Sequence, residues 1–560
     1  MKRLTFALLC FTWFAPLGAE EVDLDVIHRI KTEAFQYSQV MDYMFLLSDE
    51  IGPRLSASPA YQRAADAVVQ TMDDLGIAAE VQVAGKFGRS WSYSDLRLQM
   101  LTPQIQPLSA LPMAWSAATD GPVQGSLIFA PLQPSADSPS FSSDLLAFAE
   151  TIEAYKAKYA GKLAGKVVLV DWPVEFEIPQ DVPAPLFDDA GIAEVAAAPP
   201  PLQVPPLSWP HWKSHEDTDI AARVAEDMPT EIEADLWDRY LAITNRFYSF
   251  LNDEGIAAIL KVSTHPFVGG ISSDDYGSFL ADTTVAPPTA IVMREQYNRL
   301  ARLVENGVAV DIELDVDAVF HEENADLRNV VATIPGQRKR DEIVMLGGHL
   351  DSWIGGTGAS DNASGCAVAM EAMRILKALD LKMDRTVRMA LWDGEEQNYY
   401  GSRAYVKENF GDSITMQLEP DHRKFSAYYN IDNGAGKFRG VYLQSNDATR
   451  PIFEAWLAPF ADLDADTVSI RNTYATDHKT FDSIGLPGFQ FIQDELEYES
   501  HTHHTNLDTI DHIVPGDLMQ AAAILASIVY HTANRDDLMP RKPLPDPLPE
   551  KQEIPELIRY

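Results

Sequence analysis

The apolar positions of this chain change their period as they run along it. Between residues 22 and 50 they recur at helical spacing, as in Val22, Val26, Ile27 and Ile30, which predicts one or two helices. SPAYQRAADAVVQTMDDLG predicts another helix with defined ends: Ser58 can cap it, Pro59 suits its first turn and Gly76 can stop it. SYSDLRLQML then alternates, as a strand does. From about 115 to 290 the texture shifts. GSLIFA and GKVVLVDWP read as short strands, a proline-rich stretch covers 196–210, and an acidic helical region ends in FYSFLNDEGIAAILKVS, a helix leading into a strand. From about 326 the pattern becomes strand, loop, helix. EIVMLGG, TVRMALW, SAYYNI and GFQFI are short apolar runs, and the first two precede helical patterns. That is the α/β signature of a central, largely parallel sheet. The tail, 540–560, carries six prolines and reads as an extended strap. The expected organisation is a leader (1–19), a main domain in two parts (20–114 and 291–539), a lid or packing module inserted between them (115–290), and the tail.

Composition narrows the setting. With 560 residues, 46% of them hydrophobic, the chain can bury a large core. Its formal charge of −39 repels nucleic acid and anionic membranes. The first 19 residues read as a secretory leader: MKR is a basic start, LTFALLCFTWF is apolar but short for a membrane span, and a cleavage site follows Ala19. The expected location is secreted or periplasmic, with no membrane anchor. Cleavage would leave Cys366 alone, so no intrachain disulfide could form. Cys366, within CAVAMEAMRIL, reads as a small buried hydrophobe.

The candidate chemistry sits where the strands end. In open α/β sheets, sites form outside the carboxyl ends of the strands. After EIVMLGG come His349 and Asp351; after SWIGGTGAS comes Asp361; after TVRMALW come Asp393, Glu395 and Glu396; after SAYYNI comes Asp432; after GFQFI comes ESHTHHTNLDT. Carboxylates so gathered repel one another, and divalent cations would relieve that. Imidazole nitrogen with carboxylate oxygen suits zinc, with cobalt or manganese as substitutes. The set is too large for one catalytic zinc. It suits two metals about 3.5–4 Å apart sharing a carboxylate, with one carboxylate left as a base. His501, His503 and His504 are all candidate ligands, and spacing does not rank them.

Taken together, GGHLDSW, GASDNASG, LWDGEEQNYYGSRAY, NIDNG and HHTNLDT resemble the co-catalytic di-zinc exopeptidases, a family of secreted aminopeptidases and carboxypeptidase Q-like enzymes. IGPRLSAS and ATDHKTF add to the likeness, which runs in order along the whole mature chain. The resemblance implies a three-layer α/β/α domain with an inserted, β-rich protease-associated module. It implies that His349 and Asp432 bind one zinc, that Glu396 and His504 bind the other, and that Asp361 bridges them. Glu395 becomes the general base acting on a water shared by the metals, Asp351 orients His349, and His503 is an oxyanion helper. A cis peptide is expected after Asp361. The implied substrates are peptides or dipeptides, and a homodimer is left open. Aminopeptidase action leads; a carboxypeptidase Q-like dipeptidase or carboxypeptidase is the alternative. Glu497 or Glu499 could hold a substrate ammonium, and Arg471 or Lys479 a carboxylate. A receptor-like relative without activity and a single-zinc glutaminyl cyclase-like relative are more distant readings.

Other polar residues have plainer expectations. Asp393 reads as a polar loop residue, Asp494 as structural, His478 as packing or substrate wall, His501 as exposed, and GGTG at 355–358 as a flexible loop.

Overall fold

The computed structural model describes residues 20–133, 135, 144–175, 184–201, 208–211, 213, 224, 228–473 and 475–559. The expected leader and part of the proline-rich stretch lie outside these residues. The first helices are Leu24–Gln36 and Val40–Met44, and Pro59–Asp74 follows, with the Ser58 hydroxyl accepting from the Tyr61 N–H.

Eight strands form the central sheet, in the order Ala78–Gly88, Ala325–Ile334, Arg385–Trp392, Lys339–His349, Phe425–Asn430, Gly488–Gln493, Phe438–Tyr442 and Thr467–Ser469. The four in the middle, from Arg385–Trp392 to Gly488–Gln493, run parallel. The sheet is mixed because Ala325–Ile334 and Phe438–Tyr442 pair antiparallel on either side of them. Side chains alternate across the pleat. Val344 and Leu346 enter a core shared with Ser364–Ala378 and Pro515–Asn534, whereas Ile343 and Met345 enter one shared with Tyr405 and Phe481. Helices therefore cover both faces, giving three layers. Cys366 is fully buried in the first core, as expected.

A second eight-stranded sheet takes its strands from residues 91 to 320. Its middle strands, Val123–Phe129, Val167–Leu169, Ala258–Val262 and Thr289–Val292, are parallel. The long pair Trp91–Thr102 and Asp311–Phe320 lies on either side of the 115–290 range and joins the same sheet. Leu145–Tyr159 and Thr230–Asp253 pack on one face and Arg294–Glu305 on the other. No described helix is long and apolar enough to cross a membrane.

The tail leaves the central-sheet domain and docks on the second sheet. The Leu548 N–H donates to the Ile414 carbonyl and the Gln552 N–H to the Trp209 carbonyl. Ile554 and Ile558 are then buried with Phe148 and Phe247 in the core of the second sheet.

Candidate metal centre

Parallel pairing puts the carboxyl ends of the four middle strands side by side. His349 stands level with Trp392, and Gly347 with Asn430. The loops that leave these strands therefore start from one edge, and their side chains meet. His349 Nε2 lies 3.1 Å from Asp432 Oδ1 and 3.1 Å from Asp361 Oδ1. His504 Nε2 lies 3.3 Å from the other Asp361 oxygen and 3.1 Å from Glu396 Oε2. Asp361 thus stands between two histidines, one at each oxygen. His349 with Asp361 and Asp432, and Asp361 with His503 and His504, form two groups whose ligand atoms are close enough to hold a metal ion. The two groups share Asp361.

The cluster is dry and crowded. Burial and the neighbouring Asp361 charge push Glu396 up to about 7. Burial raises Glu395 well above the usual carboxylate range; His349 opposes the shift, and Asp432 and Asp477 add to it. Burial disfavours charge on His349, yet Asp432 and Glu395 hold its pKa well above the usual value. A carboxylate cluster in this state gains from a cation.

His349 and the Glu395–Glu396 turn are held from behind. His349 Nδ1 lies 3.0 Å from the Asp351 backbone carbonyl and 3.6 Å from its carboxylate, so the carbonyl is the nearer acceptor. The Asp351 carboxylate takes the Ser56 hydroxyl at 2.7 Å and faces the backbone N–H groups of Glu395 and Glu396 at 3.4 and 3.3 Å. The Asp361–Asn362 peptide is cis. His503 Nε2 is 4.0 Å from Asp361 Oδ2, and its ring stacks obliquely on that of His504.

Two supporting residues were not singled out from the sequence. Asp508 accepts from the Ser360 N–H (2.6 Å), the Ser360 hydroxyl (2.7 Å) and the Asp361 N–H (3.1 Å), fixing the backbone beneath Asp361. Arg54, fully buried, donates to the carbonyls of Leu350, Leu47, Gly52, Thr357 and Gly358. It thereby ties the residue after His349 to the loop before Asp361. Lysine offers three donors, so Arg54→Lys would take a donor away from at least two of these five carbonyls. The expected loss is about 2–3 kcal/mol of unfolding free energy, measured by urea denaturation.

Several plainer expectations change. Asp393 is a polar loop residue, but a buried one: its carboxylate accepts from the N–H groups of Ala57 and Arg328. His501 is half-buried, stacked on Phe267 at 4.5 Å. The 355–358 loop is tied down, with the Thr357 N–H donating to the Asp508 carbonyl and Gly358 in a left-handed conformation (φ +62°) under Arg54. His478 is buried beside Thr473, consistent with packing. Asp494 is structural, paired with Arg439 at 3.1 Å.

The cluster opens into a cavity of about 1560 Å³ whose far wall comes from the second sheet, with Asp171, Tyr240, Lys261 and Tyr276 among its lining.

Comparison with known proteins finds relatives of the segment that carries the site. The model of Peptidase family M28 matches residues 329–529, which include every proposed ligand. Mouse carboxypeptidase Q is 30% identical over 254 residues, 45% of this chain and 52% of that protein. The chain thus spans about half the length of the curated relatives it matches. Among solved structures, a peptidase M28 precursor from Shewanella amazonensis SB2B shares the fold (TM-score 0.62, 22% identity, 93% of this chain and 98% of that one). So does BSAP, a zinc aminopeptidase from Bacillus subtilis (TM-score 0.53, 18% identity, 89% and 95%). Over residues 329–529, the chain is similar to peptidase family M28.

Proposed function

We propose that this protein is an exported zinc-dependent exopeptidase that hydrolyses the terminal bond of peptides, with aminopeptidase action as the leading reading. One observation carries it: the two oxygens of Asp361 face His349 and His504 at 3.1 and 3.3 Å, with buried Glu395 beside them. In this reading His349 and Asp432 hold one zinc, Glu396 and His504 hold the other, and Asp361 belongs to both. The donor set suits zinc. Glu396 Oε1, buried with no hydrogen-bond partner among the described residues, supports the fit. Zinc bound here would polarise the scissile carbonyl and lower the pKa of water from about 15.7 towards ~7. Glu395 takes the proton of the attacking water and returns it to the departing amine. Asp351 steadies the His349 ring, and His503 donates to the oxygen that gains charge. The 115–290 module walls the cavity opposite the cluster, and residues 1–19 direct export.

Which terminus is held depends on the cavity's charges. Glu499 lines it, 3.9 Å from His503, and would take a substrate ammonium. Glu497 is engaged by His512 at 2.5 Å. A second reading, a dipeptidase or carboxypeptidase, is favoured by Arg471, which lines the same cavity and has no ion pair among the described residues. Lys479 is committed to Glu233 at 3.0 Å. Peptides blocked at one end separate the two. For an aminopeptidase, N-acetylation abolishes turnover and C-terminal amidation leaves it, and the reverse pattern would overturn that assignment. Bound zinc near two per chain, by elemental analysis, favours the hydrolase; near one favours the cyclase-like alternative.

A further inference from the structure

The loop that carries His504 is not held by the M28 segment alone. His504 has φ +55°, a left-handed conformation that a non-glycine residue keeps only when its surroundings enforce it. The surroundings come from residues 271–274, far outside the matched segment. Ser273 gives both its backbone N–H (2.8 Å) and its hydroxyl (3.0 Å) to the His504 carbonyl. Ser272 and Thr505 form a β-bridge beside it. The Ile271 N–H donates to Asn506 Oδ1 at 2.6 Å, and the Asn506 N–H returns to the Ile271 carbonyl at 3.1 Å. Four hydrogen bonds thus zip this segment onto the His504 loop.

The last residue of the segment faces the imidazole. Asp274 Oδ2 lies 3.6 Å from His504 Nδ1, the nitrogen opposite the one that faces Asp361 and Glu396. A histidine that offers Nε2 to a metal carries its proton on Nδ1, and an acceptor there fixes both the tautomer and the rotation of the ring. His349 has the Asp351 carbonyl and carboxylate in that place. His504 has Asp274.

We propose that Asp274 and Ser273 are positioning residues of the metal centre, supplied from outside the M28 segment: Ser273 holds the His504 backbone and Asp274 holds its ring. This rests on the zinc reading. It makes the 271–274 segment part of the site as well as part of the cavity wall. About half of the Asp274 side chain is exposed (48%), so water can fill the space that a truncation leaves.

The test compares the full-length wild type with Asp274→Ala and Asp274→Asn, each loaded with zinc and titrated with a chelator while bound zinc is counted. For Asp274→Ala, one of the two zinc ions is expected to be released with roughly 10–100-fold weaker affinity, while the other is unchanged. Asp274→Asn, whose amide oxygen still accepts, should recover part of the loss, and it decides the matter if the alanine variant fails to fold. Wild-type affinity for both ions in both variants would overturn the proposal. So would a raised KM with zinc affinity and kcat unmoved, which would make Asp274 a substrate contact. A wild type that binds no zinc would overturn the zinc reading itself.

Discussion

Glu395→Gln is expected to keep its zinc and lose turnover by roughly 10²–10⁴-fold in kcat, the usual contribution of a positioned general base. Glutamine keeps the shape of the side chain but cannot accept a proton. The backbone of Glu395 is held independently of that side chain, because its N–H faces Asp351 Oδ1 at 3.4 Å. Removing one charge from a cluster that already pushes its carboxylates upward relieves repulsion, so folding should not suffer. Steady-state kinetics on the peptides cleaved by the wild type, with zinc counted in parallel, checks the expectation. Full activity would overturn the assignment of the base, and loss of zinc would make Glu395 a ligand instead.

Stripping the metal is expected to lower the melting temperature, and adding zinc to restore it. Asp361, Asp432, Glu395 and Glu396 come together near Asp351 and Asp477, both of which are fully buried. Without cations, the folded state bears the repulsion among these groups. A ligand that binds only the folded chain adds stability with its concentration, about 4 kcal/mol at a thousand times its Kd. Differential scanning calorimetry with chelator, and then with excess zinc, reads this directly. A melting temperature indifferent to both would mean that the cluster is not a metal centre.

The central sheet was legible because its middle strands are nearly continuous apolar runs, buried on both faces. His349, Glu395, Glu396 and Asp432 were legible for the same reason: each follows such a run directly. Asp361 needed the helix that begins after it. His504 was distinguished from His501 by resemblance, since local spacing treats them alike. What could not be read was the support. Arg54 is held by carbonyls up to 304 residues away, and Asp508 by groups 147 and 148 residues away. Nothing local marks an arginine as buried or an aspartate as a backbone clamp. The second sheet's breadth was hidden likewise, because Trp91–Thr102 finds its partner Asp311–Phe320 across some two hundred residues.

The tail couples the two sheets mechanically. Its chain leaves the helix Pro515–Asn534, bonds to Ile414 and Trp209, and seats Ile554 and Ile558 in the other core. A rigid-body opening of the cavity would have to stretch this segment or withdraw those two isoleucines into water, at about 1.5–3 kcal/mol for each side chain exposed. The tail therefore acts as a tension member that limits how far the two sheets can part while each stays folded.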